Sequence, residues 1–176
     1  MNEIFDTILS AAFVAAVIRT TTPVLFASLG GLLSDLVGSL NVALEGMMLI
    51  GALTAVIVSA YAPWYVGVLA GLAVGGLLGA LMALFHLRFK ADVILVGFAV
   101  NIIAAGGTVT ALNYATGGDK GTSINLPSKA VPSLDLSFLD AIPGIGPVLT
   151  QMFSGHSYLT WLAVFLVFAI WYFLYR

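Results

Sequence analysis

Three long stretches of this chain contain no Asp, Glu, Lys or Arg, namely residues 46–87, 93–118 and 141–175. A helix that crosses the hydrocarbon core of a bilayer needs about 20 mostly apolar residues. The first stretch is therefore long enough for two such helices, and each of the others for at least one. The composition, 61% hydrophobic and 8% charged with a mean hydropathy of +1.11, excludes an ordinary soluble domain. The sequence predicts an integral membrane protein.

The uncharged stretches and the turns between them predict an all-α, polytopic transmembrane helix bundle of about five to six spans. Helices are predicted over residues 40–61, 64–87, 93–115 and 158–175. Residues 4–37 would form a helix of about 51 Å, too long for one straight span. Because Thr20–Pro23 interrupts them, we expect either two short helices meeting there or an interfacial helix that leads into one span.

One segment differs from the rest, because residues 116–157 hold four of the six prolines and five of the charged residues. We predict a long extracytoplasmic loop there, with a short surface helix over Leu134–Ile142. Arg88 and Lys90 lie in a short loop that the positive-inside rule places in the cytoplasm. Five spans would then put the N-terminus outside, and six would put it inside. Residues 1–176 are predicted to form a single transmembrane domain in the cell membrane.

Several kinds of chemistry are excluded or unsupported by the sequence. There is no cysteine, and the two histidines, His86 and His156, lie in different segments. We find no metal-ligand spacing, no paired carboxylates at catalytic reach, no phosphate-binding glycine loop and no serine elbow. No basic run suggests nucleic acid. We therefore predict no catalytic residue, no metal and no cofactor.

The stretch SLNVALEGMMLIGAL raises the question of what Glu45 does at the front of an apolar run. In one interpretation Asn41 is the N-cap and Glu45 lies in the following turn, where the helix dipole favours a negative charge. In the other, Glu45 faces a water-filled path or pairs with another helix, as intramembrane carboxylates usually do. Its candidate partner is Arg19. The chain's physics alone leaves both interpretations open.

Two further features lie in predicted helices. Asn101 is an amide in mid-helix, which predicts either an interhelical hydrogen bond or the lining of a path. Glycines recur every four residues along one helix face and predict close helix packing; they are Gly67, Gly71, Gly75 and Gly79. Met48 and its neighbour Met47 are more typical of core filling than of ligand contact.

The segment from Thr22-Pro23 to Ala52, with Leu40-Asn41-Val42-Ala43-Leu44-Glu45-Gly46-Met47-Met48 at its centre, resembles the ABC-transporter permeases for nucleosides and simple sugars. The wider family also includes ribose and branched-chain amino acid permeases. Ala91–Gly97 with Asn101, Ile142–Leu149 and Trp171–Arg176 carry the resemblance through the rest of the chain. It implies that the chain corresponds to the N-terminal portion of a permease, incomplete at its C-terminus.

The resemblance implies the permease subunit of an ATP-driven importer. Its partners would be cytoplasmic ATPase subunits, a second permease subunit and an external substrate-binding lipoprotein, with ATP hydrolysis confined to the ATPases. It favours a path role for Glu45, and the path residues would be Asn41, Glu45, Met48 and Asn101. Two other classes remain open: a stand-alone channel or secondary transporter, and a membrane scaffold packed through the Gly67–Gly79 face.

Overall fold

The helices of this computed structural model account for nearly all of its regular structure; the described residues are 11–118, 126–138 and 146–176. Five helices are long and apolar enough to cross a membrane. They are α1 (Ala11–Leu36), α2 (Leu44–Tyr61), α3 (Trp64–Phe89), α4 (Val93–Ala115) and α6 (Tyr158–Tyr175). Between α4 and α6 lie β1 (Ser133–Leu134), α5 (Gly146–Phe153) and β2 (His156–Ser157). The prediction of an all-α, polytopic bundle is confirmed.

The expected interruption of the first span is wrong, because α1 runs through Pro23 as one helix of 26 residues. Proline removes one backbone hydrogen bond from a helix. The neighbouring hydroxyls donate to carbonyls of the preceding turn: Thr20 to the carbonyl of Ala16 at 3.0 Å, and Thr22 to that of Ile18 at 2.9 Å. These bonds satisfy both hydroxyls within the helix, as a membrane requires, although the carbonyl that Pro23 leaves without its helical donor is that of Arg19. The described residues thus form five candidate spans.

Contacts divide the chain into two compact units, one of residues through Leu29 together with Val131–Arg176, the other of Gly30–Ala130. In the second unit, α2 and α3 approach closely at two glycines of α3. A Cβ added at Gly67 would lie 2.7 Å from the carbonyl oxygen of Ala55 and 2.9 Å from the Cβ of Ser59. One added at Gly71 would lie 3.0 Å from the carbonyl oxygen of Gly51. Only glycine allows this spacing.

In the first unit, β1 and β2 form a short antiparallel pair with Ser133 opposite Ser157. Gly155, with φ +78°, makes the turn between α5 and β2 in a conformation that favours glycine. The surface helix predicted over Leu134–Ile142 is wrong at its start, because Leu134 belongs to β1; residues 139–142 lie outside the described residues. The short helix lies instead at α5, whose sequence has no charged residue and one proline near its start.

We expect Gly67→Ala to lower the free energy of unfolding by about 1–3 kcal/mol, because the new methyl group overlaps backbone atoms of α2. Gly75→Ala is the matched control, since no described atom lies within 4 Å of its Cβ position. It should leave stability unchanged or raise it by up to about 1 kcal/mol through helix propensity. Unfolding by dodecyl sulfate in mild detergent, followed by circular dichroism, measures both. Equal effects of the two substitutions would contradict the packing argument.

Candidate functional site

Asn41 folds the segment that leads into α2. Its Oδ1 accepts a hydrogen bond from the N–H of Ala43 at 3.0 Å, the pattern of an Asx turn. Its Nδ2 lies 3.8 Å from the Sδ of Met47. The interpretation in which Asn41 is the N-cap is wrong, because α2 begins at Leu44 and Ala43 occupies the N-cap position. Asn41 therefore stands outside the helix and shapes the approach to it.

The side chain of Asn101, on α4, supplies the cap that Ala43 cannot. The first N–H groups of a helix have no partner within it. Asn101 Oδ1 accepts a hydrogen bond from the N–H of Gly46 at 2.8 Å, and Asn101 Nδ2 donates to the carbonyl oxygen of Val42 at 2.9 Å. One amide thus satisfies a donor and an acceptor on the two sides of the helix start. Each bond is worth about 1 kcal/mol.

Two glycines make room for this junction of α2 and α4. A Cβ at Gly46 would lie 2.8 Å from Oδ1 of Asn101 and 3.0 Å from its Cα. A Cβ at Gly97 would lie 3.0 Å from the Cβ of Val42. The buried residues beside the junction are Ala43, Met82 and Val100. Any larger side chain at either glycine would push the two helices apart.

Glu45 and Met48 lie beside this junction, three residues apart and therefore on one side of α2. Both are exposed, Met48 at 43%. Glu45 stands in the first turn, where the helix dipole stabilises a negative charge by about 0.3–1 kcal/mol. Its predicted partner, Arg19, belongs to the other unit. That pairing stays a prediction.

A cavity of about 420 Å³ opens within the second unit, where the end of α1 meets the ends of α3 and the starts of α2 and α4. Its polar lining comes from Ser34, Ser39, Asn41 and His86. Met47 supplies part of the apolar wall, and Gly79 lines it without a side chain. These hydroxyl, amide and imidazole groups can exchange hydrogen bonds with an uncharged polar molecule.

Met47 and His86 were not among the path residues that the sequence suggested. Met47, not Met48, lines the cavity, and His86 joins it from the last turn of α3, where its Nδ1 lies 3.1 Å from the carbonyl oxygen of Ala91. Helical spacing in the sequence could have indicated His86, because positions 79, 82, 83 and 86 fall on one face of α3.

The four glycines of α3 behave differently from one another. Gly67 and Gly71 face α2, as described above, whereas no described atom lies within 4 Å of a Cβ at Gly75 or Gly79. A packing role for the latter two stays a prediction. Within residues 11–118, 126–138 and 146–176, no group of three His, Asp or Glu side chains could hold a metal ion.

The fold and this junction define the class, a polytopic α-helical membrane protein with a polar cavity among its helices. Residues 13–176 match the family model described as branched-chain amino acid transport system / permease component. The chain belongs to that family of permeases.

Three curated relatives carry transporter names. The chain is 32% identical over 174 residues to the guanosine ABC transporter permease protein NupQ of Bacillus subtilis, covering 93% of this chain and 51% of NupQ. It is 30% identical over 173 residues to the nucleoside ABC transporter permease protein NupC of Lactococcus lactis subsp. cremoris, covering 93% and 51%. It is 29% identical over 168 residues to TsgC13 of Haloferax volcanii, a permease protein assigned provisionally to a glucose ABC transporter, covering 95% and 49%. The chain spans about half the length of these relatives. No solved structure matches the chain.

We expect Asn101→Leu to lower the free energy of unfolding by about 1–3 kcal/mol, because it leaves the Gly46 N–H and the Val42 carbonyl unpaired. Amide hydrogen exchange at Gly46 should accelerate with it. Thr108→Val on the same helix is the control, since that hydroxyl donates only to the Ala104 carbonyl of its own helix at 2.6 Å. Unchanged protection of Gly46 in Asn101→Leu would refute the capping role.

Proposed function

We propose that the chain is part of the transmembrane permease subunit of an ATP-driven importer for nucleosides or simple sugars. The observation that carries this proposal is the family match over residues 13–176, which runs through all five apolar helices. The names of the curated relatives support the solute class, because two refer to nucleosides and one to glucose.

The permease performs no bond chemistry in this proposal. Cytoplasmic ATPase subunits hydrolyse ATP, a second permease subunit completes the path, and an external substrate-binding lipoprotein delivers the solute. The family to which the chain belongs supports partners of these kinds. The cytoplasmic side is that of Arg88 and Lys90, and residues 116–157 lie on the opposite side, where the binding lipoprotein docks. Residues 1–176 act as one transmembrane domain.

Asn41, Glu45, Met48 and Asn101 line or brace the solute path. Glu45 and Met48 offer an exposed face of α2, and Asn41 lines the adjoining cavity. Asn101 holds the start of α2 and retains a second N–H and a second lone pair on Oδ1 for a solute. The hydroxyls of a nucleoside or sugar both donate and accept hydrogen bonds, which suits a lining of amides and one carboxylate.

No observation on the described residues supports either of the two alternative classes of protein. The hypothesis of a channel or secondary transporter depended on a break in the first helix. The structure shows no such break, because α1 is continuous over Ala11–Leu36. A scaffold packed through the whole Gly67–Gly79 face would use a surface of which Gly67 and Gly71 are already engaged with α2.

In an assembled importer that contains this chain, we expect Glu45→Gln to lower uptake of labelled guanosine about tenfold or more, because a charged hydrogen-bond acceptor for the solute is lost. Asp35→Asn, an equivalent change at an exposed residue in the last turn of α1, should leave uptake near wild type. Co-purification of the ATPase confirms assembly of each variant. Equal uptake by wild type and Glu45→Gln would remove Glu45 from the path.

The partner proposal is tested by co-purifying the ATPase with this chain, alone and extended by the remaining length found in its relatives. We expect binding by the extended form only, because the resemblance implies that permeases of this kind continue, after the equivalent of Tyr175-Arg176, into a cytoplasmic coupling helix that docks on the ATPase. Binding by the short form would move the docking surface to Arg88–Asp92 or to the region of Asp35. Binding by neither would contradict the importer assignment.

A further inference from the structure

A second cavity of about 420 Å³ lies in the first unit, between α1 and the start of α6. Its polar and charged lining comes from Arg19, Thr22, Ser133, His156, Ser157 and Thr160. None of the described residues that line it is acidic. The proposed solute path does not use this cavity.

The positive charge of Arg19 is uncompensated among the described residues of its own unit. Arg19 lies within α1, a helix that is long and apolar enough to span the membrane. Among the described residues of its own unit it has no hydrogen-bond or ion-pair partner. An unpaired cation in a membrane helix is costly at depth, and close to the interface it attracts anionic lipid headgroups. The cavity beside Arg19 is where a counter-charge fits.

The start of α6 adds further donors to the same cavity. Ser157 is its N-cap residue but makes no side-chain capping bond, and the N–H of Tyr158 donates to the carbonyl oxygen of Pro132 at 3.2 Å. The next two N–H groups of this 18-residue helix, those of Leu159 and Thr160, belong to residues that line the cavity and carry no side-chain cap. The Ser157 hydroxyl lies instead 3.3 Å from that of Thr160, which in turn lies 3.1 Å from that of Thr22. A helix N-terminus beside a guanidinium favours an anionic oxygen, above all that of a phosphate.

The side chain of His156 restricts which ligands this cavity can bind. Its side chain is 3% exposed and lines the cavity. Nε2 donates to the carbonyl oxygen of Met152 at 2.9 Å, so in the neutral ring Nδ1 carries a lone pair. Nδ1 has no partner among the described residues, and it would repel a bare anion. A hydroxyl group next to the anionic group of the ligand would donate a hydrogen bond to Nδ1.

The depth of the cavity matches the lipid headgroups. A hydrocarbon core of about 30 Å takes about 20 helical residues. Counted back from Leu36, the cytoplasmic end of α1 on the predicted orientation, the outer boundary falls within about one turn of Arg19. Thr160 meets Thr22 at this level. Tyr158 and Trp161 stand in the same turn of α6, as aromatic residues do at a membrane interface.

We propose that this cavity binds the phosphate group of an anionic phospholipid with a hydroxylated headgroup, drawn from the outer leaflet. Arg19 and the first turn of α6 hold the phosphate oxygens, and His156 Nδ1 accepts a hydrogen bond from a headgroup hydroxyl. Phosphatidylglycerol has this chemistry. Free phosphate shares the anionic group but not the anchoring in the membrane.

The test uses the purified chain in detergent micelles, titrated with phosphatidylglycerol and phosphatidylcholine, with bound lipid counted by native mass spectrometry. We expect one phosphatidylglycerol to be retained in preference to phosphatidylcholine. Arg19→Gln should weaken that retention about fivefold or more, and Arg19→Lys less, because a point charge remains. Lys129→Gln, the same loss of charge at an exposed residue that does not line the cavity, should have no effect.

Ser133→Leu provides a second variant that keeps Arg19. It fills the cavity with an apolar side chain while leaving the backbone pairing of β1 with β2 available. It should also reduce retention of phosphatidylglycerol. Retention unaffected by both Arg19→Gln and Ser133→Leu would overturn the proposal. Displacement of the lipid by millimolar inorganic phosphate would overturn the lipid assignment and identify an aqueous anion site instead.

Discussion

In the hydrocarbon core no water can replace a missing hydrogen bond, so every backbone group must find its partner within the protein. In the second unit, the backbone groups at the start of α2 need such partners, because the first N–H groups of a helix have none within it. Asn101 meets this need by bonding the Gly46 N–H and the Val42 carbonyl. The bonds require α4 to approach within the reach of one amide, which in turn requires glycine at positions 46 and 97. The exposed face with Glu45 is positioned by this junction.

The same constraint explains what the sequence could and could not predict about the fold. The bounds of α3, α4 and α6 follow closely from the long uncharged stretches and the turns between them. The continuity of α1 does not, because the sequence alone does not show whether the hydroxyls of Thr20 and Thr22 bond back to their own helix, as they do, or cap a new one. From sequence, a threonine run before proline is equally typical of a break.

The sequence predicted the residues of the candidate site better than it predicted their arrangement in space. The amide of Asn101 lies in an apolar helix and needs a hydrogen-bond partner, and the sequence predicted this need. The identity of the partner is a backbone group 55 positions away, which no local pattern contains. Asn41 was interpreted as an N-cap because its residue type suits one; the actual cap comes from another helix. The cavity lined by Met47 and His86 is built from four separate segments and so left only a weak trace in the spacing.

The two cavities differ in charge, and this difference separates their roles. The cavity of Asn41 and His86 presents hydroxyl, amide and imidazole groups, which suits an uncharged polar solute. That of Arg19 presents a cation, with no acidic residue among the described residues that line the cavity, and the start of a helix, which suits an anion. The Glu45 carboxylate lies in the first turn of α2, where the positive end of the helix dipole stabilises it without a fixed cation. A carboxylate without a fixed ion pair keeps its lone pairs available, which is the condition for exchanging hydrogen bonds with a passing solute.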